Sequence, residues 1–166
     1  MKICQVYENK KAYLELLLLG DEQESMIDRY LERGDMFILR SDKGDVRAEC
    51  VIVREKAGIY ELKNIAVDPK YQRRGYGREL IARIFQEYPD CEALYAGTGD
   101  SKRTLSFYKS CGFTEVWRVP DFFIRHYDHP IYEDGIQLRD MIYLKKERGT
   151  CGENIQEADR SGISNL

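Results

Sequence analysis

The sequence holds no long apolar run. A bilayer span needs roughly 20 apolar residues, and no run here is longer than Leu16 to Leu19. The first residues, Met1-Lys2-Ile3-Cys4-Gln5, run into charge without a signal-peptide core, so a cytoplasmic protein with no membrane partner is expected. Paired cysteine is missing too. The five cysteines at 4, 50, 91, 111 and 151 are odd in number and show no C-x-x-C spacing. Neither a disulfide framework nor a zinc site is expected, and no metal. They read as free thiols serving as small hydrophobes. Surplus positive charge is also lacking: 26 Lys and Arg stand against 29 Asp and Glu, for a net charge of -3. A general nucleic-acid binder needs the opposite balance.

What is present suits one globular domain. The chain has 166 residues, 43% of them apolar and 33% charged, enough to bury a core without covalent staples. Lys2 to Tyr7 predicts a strand. Ala12 to Leu19, dense in leucine, predicts a buried helix face, broken at Gly20-Asp21. Asp21 is placed to cap a second helix over Glu22 to Glu32, with acids in its first turn. Strands are expected over Met36 to Arg40, Val46 to Arg54 and Ile59 to Val67, separated by the turns Ser41 to Asp45 and Lys56-Ala57-Gly58. A helix over Arg78 to Tyr88 carries Leu80, Ile81, Ile84 and Phe85 on one face. Cys91 to Gly97 then predicts a strand parallel to Ile59 to Val67, making a central β-loop-α-β unit. A short helix over Thr104 to Ser110 precedes two paired strands, Phe113 to Arg118 and Gln137 to Lys145. Past Lys146 the composition turns polar and aperiodic. One domain over 1–146 and a flexible tail over 147–166 are expected.

The stretch between the parallel strands carries the chemistry. Tyr71-Gln72-Arg73-Arg74-Gly75-Tyr76-Gly77 leaves a strand and enters a helix. Backbone N–H groups at a helix start, together with the macrodipole, form a site for anions and above all phosphates. Gly75 and Gly77 allow close backbone approach to a ligand, and Arg73, Arg74 and Arg78 add positive charge. The G-K-[ST] ending of a nucleotide-hydrolysing P-loop is missing, and so is G-x-G-x-x-G. The plain alternative is a glycine-rich turn with solvated arginines.

Ile65-Ala66-Val67-Asp68-Pro69 followed by Gln72-Arg73-Arg74-Gly75-Tyr76-Gly77 resembles motif A of the GNAT superfamily of N-acetyltransferases. Leu105-Ser106-Phe107-Tyr108-Lys109-Ser110-Cys111-Gly112-Phe113 resembles that family's second signature. The likeness is strong over residues 59–113 and architectural over the rest of 1–146. It implies an α/β fold of the α+β type: a mixed, mostly antiparallel sheet of six to seven strands, with the β-loop-α-β unit at its centre and helices on both faces. It also implies acetyl-CoA as co-substrate. The pantetheine arm would pair with the backbone of Ile65, Ala66 and Val67. The pyrophosphate would sit on the loop formed by Gln72, Arg73, Arg74, Gly75, Tyr76, Gly77 and Arg78. Thr98 and Ser101 are further cofactor contacts, Ser101 standing where the family often has Asn. Asp100 and Lys102 lie close by.

Tyr108 falls at the position of the family's general acid toward the leaving thiolate. Its plain alternative is aromatic packing, with the hydroxyl bonded to backbone. Glu61 stands eleven residues before Gln72, where some members carry the general base. Strand alternation puts Glu61, Lys63 and Ile65 on one face. Carboxylates that face partly dry clefts hold protons more readily, which suits a base; the alternative is that Glu61 pairs with Lys63. Asn64 is placed to orient water or substrate. The resemblance implies a bulge in this strand, and the N–H of Ile65 near it is the candidate oxyanion donor.

The segment from Asp121 to Gly135 holds both histidines, four aromatics and four acids, a mixture suited to a cationic amine. Arg29 and Tyr30 are candidates for the same pocket. The expected acceptor is a primary amine of a small molecule or peptide, attacking directly, with no cysteine placed as nucleophile. Dimers are frequent in the superfamily, so a homodimer is an option. A CoA-binding module without turnover, and more remotely a nucleotide-binding domain, are the competing readings.

Overall fold

The computed structural model describes residues 1–149. Seven strands form one sheet: β1 (Lys2–Val6), β2 (Asp35–Arg40), β3 (Val46–Lys56), β4 (Ile59–Val67), β5 (Ala93–Gly99), β6 (Thr114–Val119) and β9 (Met141–Glu147). Their order is β1-β2-β3-β4-β5-β9-β6. Every neighbouring pair is antiparallel except β4 and β5. The mixed, mostly antiparallel sheet expected above is therefore the observed one. A separate hairpin, β7 (Tyr132–Glu133) with β8 (Ile136–Gln137), stands outside it.

Helices cover both faces. On one face lie α3 (Tyr76–Glu87) and α4 (Lys102–Ser110). Leu80, Ile81 and Ile84 of α3 pack there with Ile52, Leu62, Leu94 and Ile142 of the sheet. On the other face lie α1 (Leu14–Gly20) and the short α2 (Glu24–Ile27). There Leu17 and Ile27 pack against Met36, Ile38, Val51 and Val53. β3 supplies both layers by strict alternation, because successive side chains point to opposite faces.

Two boundaries differ from the expectation in ways that matter. The helix expected over Glu22 to Glu32 is regular for one turn, Glu24–Ile27, and Gln23 rather than Asp21 occupies its cap. Asp21 accepts hydrogen bonds from two tyrosines instead. The long connection between β6 and β9 contains a helix that periodicity did not reveal, α5 (Phe122–His126). Phe123 of α5 joins Ile131 and Leu138 in a small core of its own. At the chain's end, β9 runs through Glu147, and Arg148 donates to the carbonyls of Cys91 at 2.8 Å and Tyr88 at 2.8 Å. The first residues of the expected tail thus belong to the folded body. Residues 150–166, with Cys151, lie outside the described residues.

The feature that positions the site is a bulge in β4. Leu62 is opposite Ile52 of β3, but the next pair is Asn64 with Val51, so Lys63 is an extra residue. A one-residue slip turns every following side chain to the other face. Leu62 accordingly packs in the α3 layer, and Ile65 and Val67 do the same past the bulge. Glu61 and Lys63 therefore do not share a face with Ile65, contrary to the simple alternation. Bulges also bend the strand that carries them. The parallel ladder stops at Leu62 with Ala96, while β4 continues to Val67 and β5 to Gly99. The two strands splay and leave an opening between their ends.

Candidate active site

An open cleft of about 1100 Å³ occupies this splay. One arm is made by the end of β4, the loop into α3 and the start of α4. The other arm is made by the α1–α2 region together with α5 and the segment after it.

In the first arm, β4 from Lys63 onward has no ladder partner on its β5 side. Its polar backbone on that edge is free to pair with an extended ligand. Pro69 follows Asp68, whose carboxylate accepts from the N–H of Lys70 at 2.9 Å and turns the chain. Arg73 and Gly75 both take left-handed φ, 62° and 84°. Gly75 has open space where a Cβ would stand, and α3 begins at once after it. The first-turn amides of α3 have no partner within the helix and stand at the cleft. Gln72, Arg73, Gly75, Tyr76, Gly77 and Arg78 all line the cleft.

Several side chains in this arm do something the sequence did not show. A Cβ at Gly77 would sit 2.9 Å from Cζ of Phe107. Its missing side chain thus lets α3 pack closely on α4, whereas close approach to a ligand was the expected reason. Arg78 donates to the carbonyl of Ser110 at 2.8 Å and ties the start of α3 to the end of α4. Arg74 points its guanidinium over the Tyr71 ring at 5.6 Å and stands outside the cleft wall, as does Ser101. Ser101 caps α4 without a side-chain bond. Thr98 lines the cleft from β5.

Tyr108 is 5% exposed, with Phe107 and Phe113 edge-on to its ring at 5.3 Å each. Among the described residues nothing hydrogen-bonds its hydroxyl, although the residue lines the cleft. Burial first, then the Cys111 thiol and the Glu49 and Glu133 carboxylates, push the phenol's pKa well above its usual value. It stays protonated at neutral pH. Glu61 also lines the cleft, and its carboxylate meets Lys63 at 3.0 Å. Glu61 and Tyr108 thus border one cleft, and the pairing of Glu61 with Lys63 anticipated as its alternative is formed.

In the second arm Arg29, Tyr30, Asn64 and parts of the segment from Asp121 to Gly135 line the cleft as expected, and what the sequence did not show is how Asp21 links them. Asn64, 3% exposed, donates to the carbonyl of Leu17 at 2.9 Å and to the Tyr30 hydroxyl at 3.0 Å. Tyr30 donates in turn to Asp21 at 3.2 Å, and Tyr127 donates to the other oxygen of Asp21 at 2.7 Å. Burial raises the pKa of Asp21, opposed by the two phenol donors. The acids expected to face an acceptor are mostly engaged by cations: Asp121 with Arg139 at 3.0 Å, and Asp134 with Arg103 at 3.1 Å. His126 packs on the Phe122 ring at 4.5 Å, and His129 pairs with Asp128.

The likeness to known proteins agrees with this geometry. The model of the acetyltransferase (GNAT) domain matches residues 32–115. An uncharacterised N-acetyltransferase of Bacillus subtilis, YvbK, is 36% identical over 141 residues, covering 82% of this chain and 90% of that protein. A GNAT family acetyltransferase from Elizabethkingia anophelis, solved with acetyl-CoA bound, superposes with a TM-score of 0.81 at 30% identity, over 88% of this chain and 97% of that one. A Bacillus subtilis acetyltransferase in complex with CoA gives 0.79 at 33% identity, over 88% and 97%. The chain belongs to the GNAT superfamily of acyl-CoA-dependent N-acetyltransferases.

Proposed function

We propose that this chain transfers the acetyl group of acetyl-CoA to a primary amine of a small molecule or peptide, by direct attack and without a covalent enzyme intermediate. The observation that carries the reading is the end of the parallel ladder at Leu62 and Ala96. It leaves an unpaired strand edge leading to an anion-binding helix start, with a partnerless phenol beside both. The residues fit the cofactor: the edge of Ile65, Ala66 and Val67 suits the amide-bearing arm, and the loop amides from Gln72 to Arg78 suit the pyrophosphate. The bound thioester supplies an activated acyl carbon and a thiolate leaving group.

The chain's own groups manage protons and charge. Glu61 takes the proton of the attacking amine, directly or through water, with Lys63 holding its carboxylate in place. The N–H of Ile65 steadies negative charge on the carbonyl oxygen as the C–N bond forms. One such donor is worth roughly 3 kcal/mol in a transition state. Tyr108 gives its proton to the sulfur as the C–S bond breaks. A module that binds CoA without turnover is the reading favoured by the Glu61–Lys63 pair taken alone.

Free thiol release from acetyl-CoA, followed with a panel of polyamines, amino acids and peptides, separates the two. Amine-dependent release supports the transferase. Saturable CoA binding with no release, unaltered by Glu61→Gln and Tyr108→Phe, supports the module.

A further inference from the structure

The acids on the cleft wall divide into two kinds. Glu61 is matched by Lys63 at 3.0 Å, and Glu133 and Asp134 by Arg103 at 3.6 and 3.1 Å. Asp21 and Glu22 have no such match among the described residues; Glu22 is exposed, whereas Asp21 is partly buried and its partners are all neutral, the hydroxyls of Tyr30 and Tyr127 and the N–H of Gln23. Arg29 and Arg33 line the same cleft, yet among the described residues no cation reaches ion-pair distance of Asp21. Holding a half-buried carboxylate without a counter-charge is costly, and two phenol donors offset only part of that cost. The same donors fix its orientation from both sides. Phe122, Tyr30 and Tyr127 line the cleft beside it, and ring faces of this kind attract cations.

We propose that Asp21 is the docking carboxylate for a positively charged group of the acceptor, and that the acceptor carries this charge in addition to the amine that is acetylated. The second half follows from chemistry. A group paired with Asp21 stays protonated, and a protonated amine has no lone pair with which to attack a thioester. The cation at Asp21 and the nucleophile are therefore different groups on one molecule, and the substrate class is a diamine or another amine bearing a separate ammonium or guanidinium. Asp21 acts on selection and not on the chemical step. The anchoring bond from Tyr127 makes the segment after β6 part of the same docking wall.

This inference rests on the transferase reading, and the test keeps the two apart. Matched acceptors differing by one charge are compared in acetyl-CoA-dependent thiol release: 1,5-diaminopentane against pentylamine, and lysine amide against norleucine amide. Calorimetry of CoA binding is run alongside. For the wild type, kcat/KM is expected to favour the dication of each pair by roughly tenfold or more, the value of one well-placed ion pair. Asp21→Asn, which keeps the shape and a phenol acceptor, is expected to reduce that ratio to near one. KM should rise for the dications while kcat and CoA affinity stay within about twofold. Equal or reversed preference in the wild type, turnover of none of the four amines by a protein that binds CoA, or an unchanged ratio in a folded Asp21→Asn variant overturns the proposal. The wild-type ratio needs no variant to fold. Failure of CoA binding itself would strike the transferase reading first.

Discussion

The two arms of the cleft are built by different means. The arm proposed to hold the coenzyme uses one continuous stretch, from Ile59 to Cys111, and is built mainly from backbone: a strand edge, a turn with left-handed φ and a helix start. The arm proposed to hold the acceptor uses side chains from three distant places, Asp21 and Tyr30, Asn64, and Tyr127. Backbone geometry leaves a local trace, in glycines, a proline and a fixed spacing. A wall of side chains from remote segments leaves only its composition, as in the aromatic and acidic run from Asp121 to Gly135, and no trace of which residues meet. Under the proposed function the contrast also divides the work. An arm made of main chain handles a ligand that does not vary, while an arm made of exchangeable side chains can be retuned for its partner.

Four substitutions sharpen or break that division. The largest effect is expected for Gly77→Glu. It places bulk against Phe107 and charge at the anion site, and acetyl-CoA binding measured by calorimetry should disappear; retained affinity in a folded variant would remove the loop from the coenzyme arm. Next is Tyr108→Phe, expected to lower kcat roughly 100-fold, the scale of one general acid, with CoA affinity nearly unchanged. Unaltered turnover would leave Tyr108 as packing. Asn64→Ala takes one of two partners from the Tyr30 hydroxyl and from the Leu17 carbonyl, which keep the carboxylate and the N–H of Asp21, at a cost of about 1 kcal/mol for each bond lost. The melting temperature should fall by several degrees, and KM for the amine should move more than CoA affinity. An equal loss of both would merge the two arms into one unit.

The smallest effect concerns Glu49 of β3, which is wholly buried and, among the described residues, has no hydrogen-bond partner for either carboxylate oxygen. Burial raises its pKa well above the ordinary value. The folded state keeps this proton over a pH range where the unfolded chain has released it. The stability associated with it is therefore complete below the unfolded pKa of about 4.3 and declines as pH rises toward the folded value. Glu49→Gln removes that slope, so its melting temperature should gain on the wild type between pH 5 and pH 8. A constant difference across that range would mean that Glu49 is not neutral in the fold.

Much of the frame was legible because its signals are local. Ile59–Val67 and the two turns that frame Val46–Lys56 fall where alternation and glycine place them. The parallel pairing of β4 with β5 followed from the helix between them. The loop could be picked out by its glycines and arginines, and Tyr108 only through the resemblance to the family's second signature. The bulge at Lys63 was expected only through the family resemblance, since no residue type marks it, and the face assigned to Ile65 by simple alternation failed because that alternation ignored it. Asp21 looked like a cap because it precedes acids in a helix-like stretch, a pattern that cannot reveal Tyr127 arriving from 106 positions away. α5 hid in a five-residue run too short for periodicity to appear.

The extra residue at 63 has a consequence in genetic terms. Exchanging one letter anywhere from 61 to 67 alters a single side chain. Losing the codon for Lys63 removes the extra residue instead: Leu62 and Asn64 would follow each other in regular register opposite Ile52 and Val51, each keeping its side of the sheet, and the bend that the bulge gives the strand would go. In this strand, the number of residues sets the bend and their identity sets the chemistry.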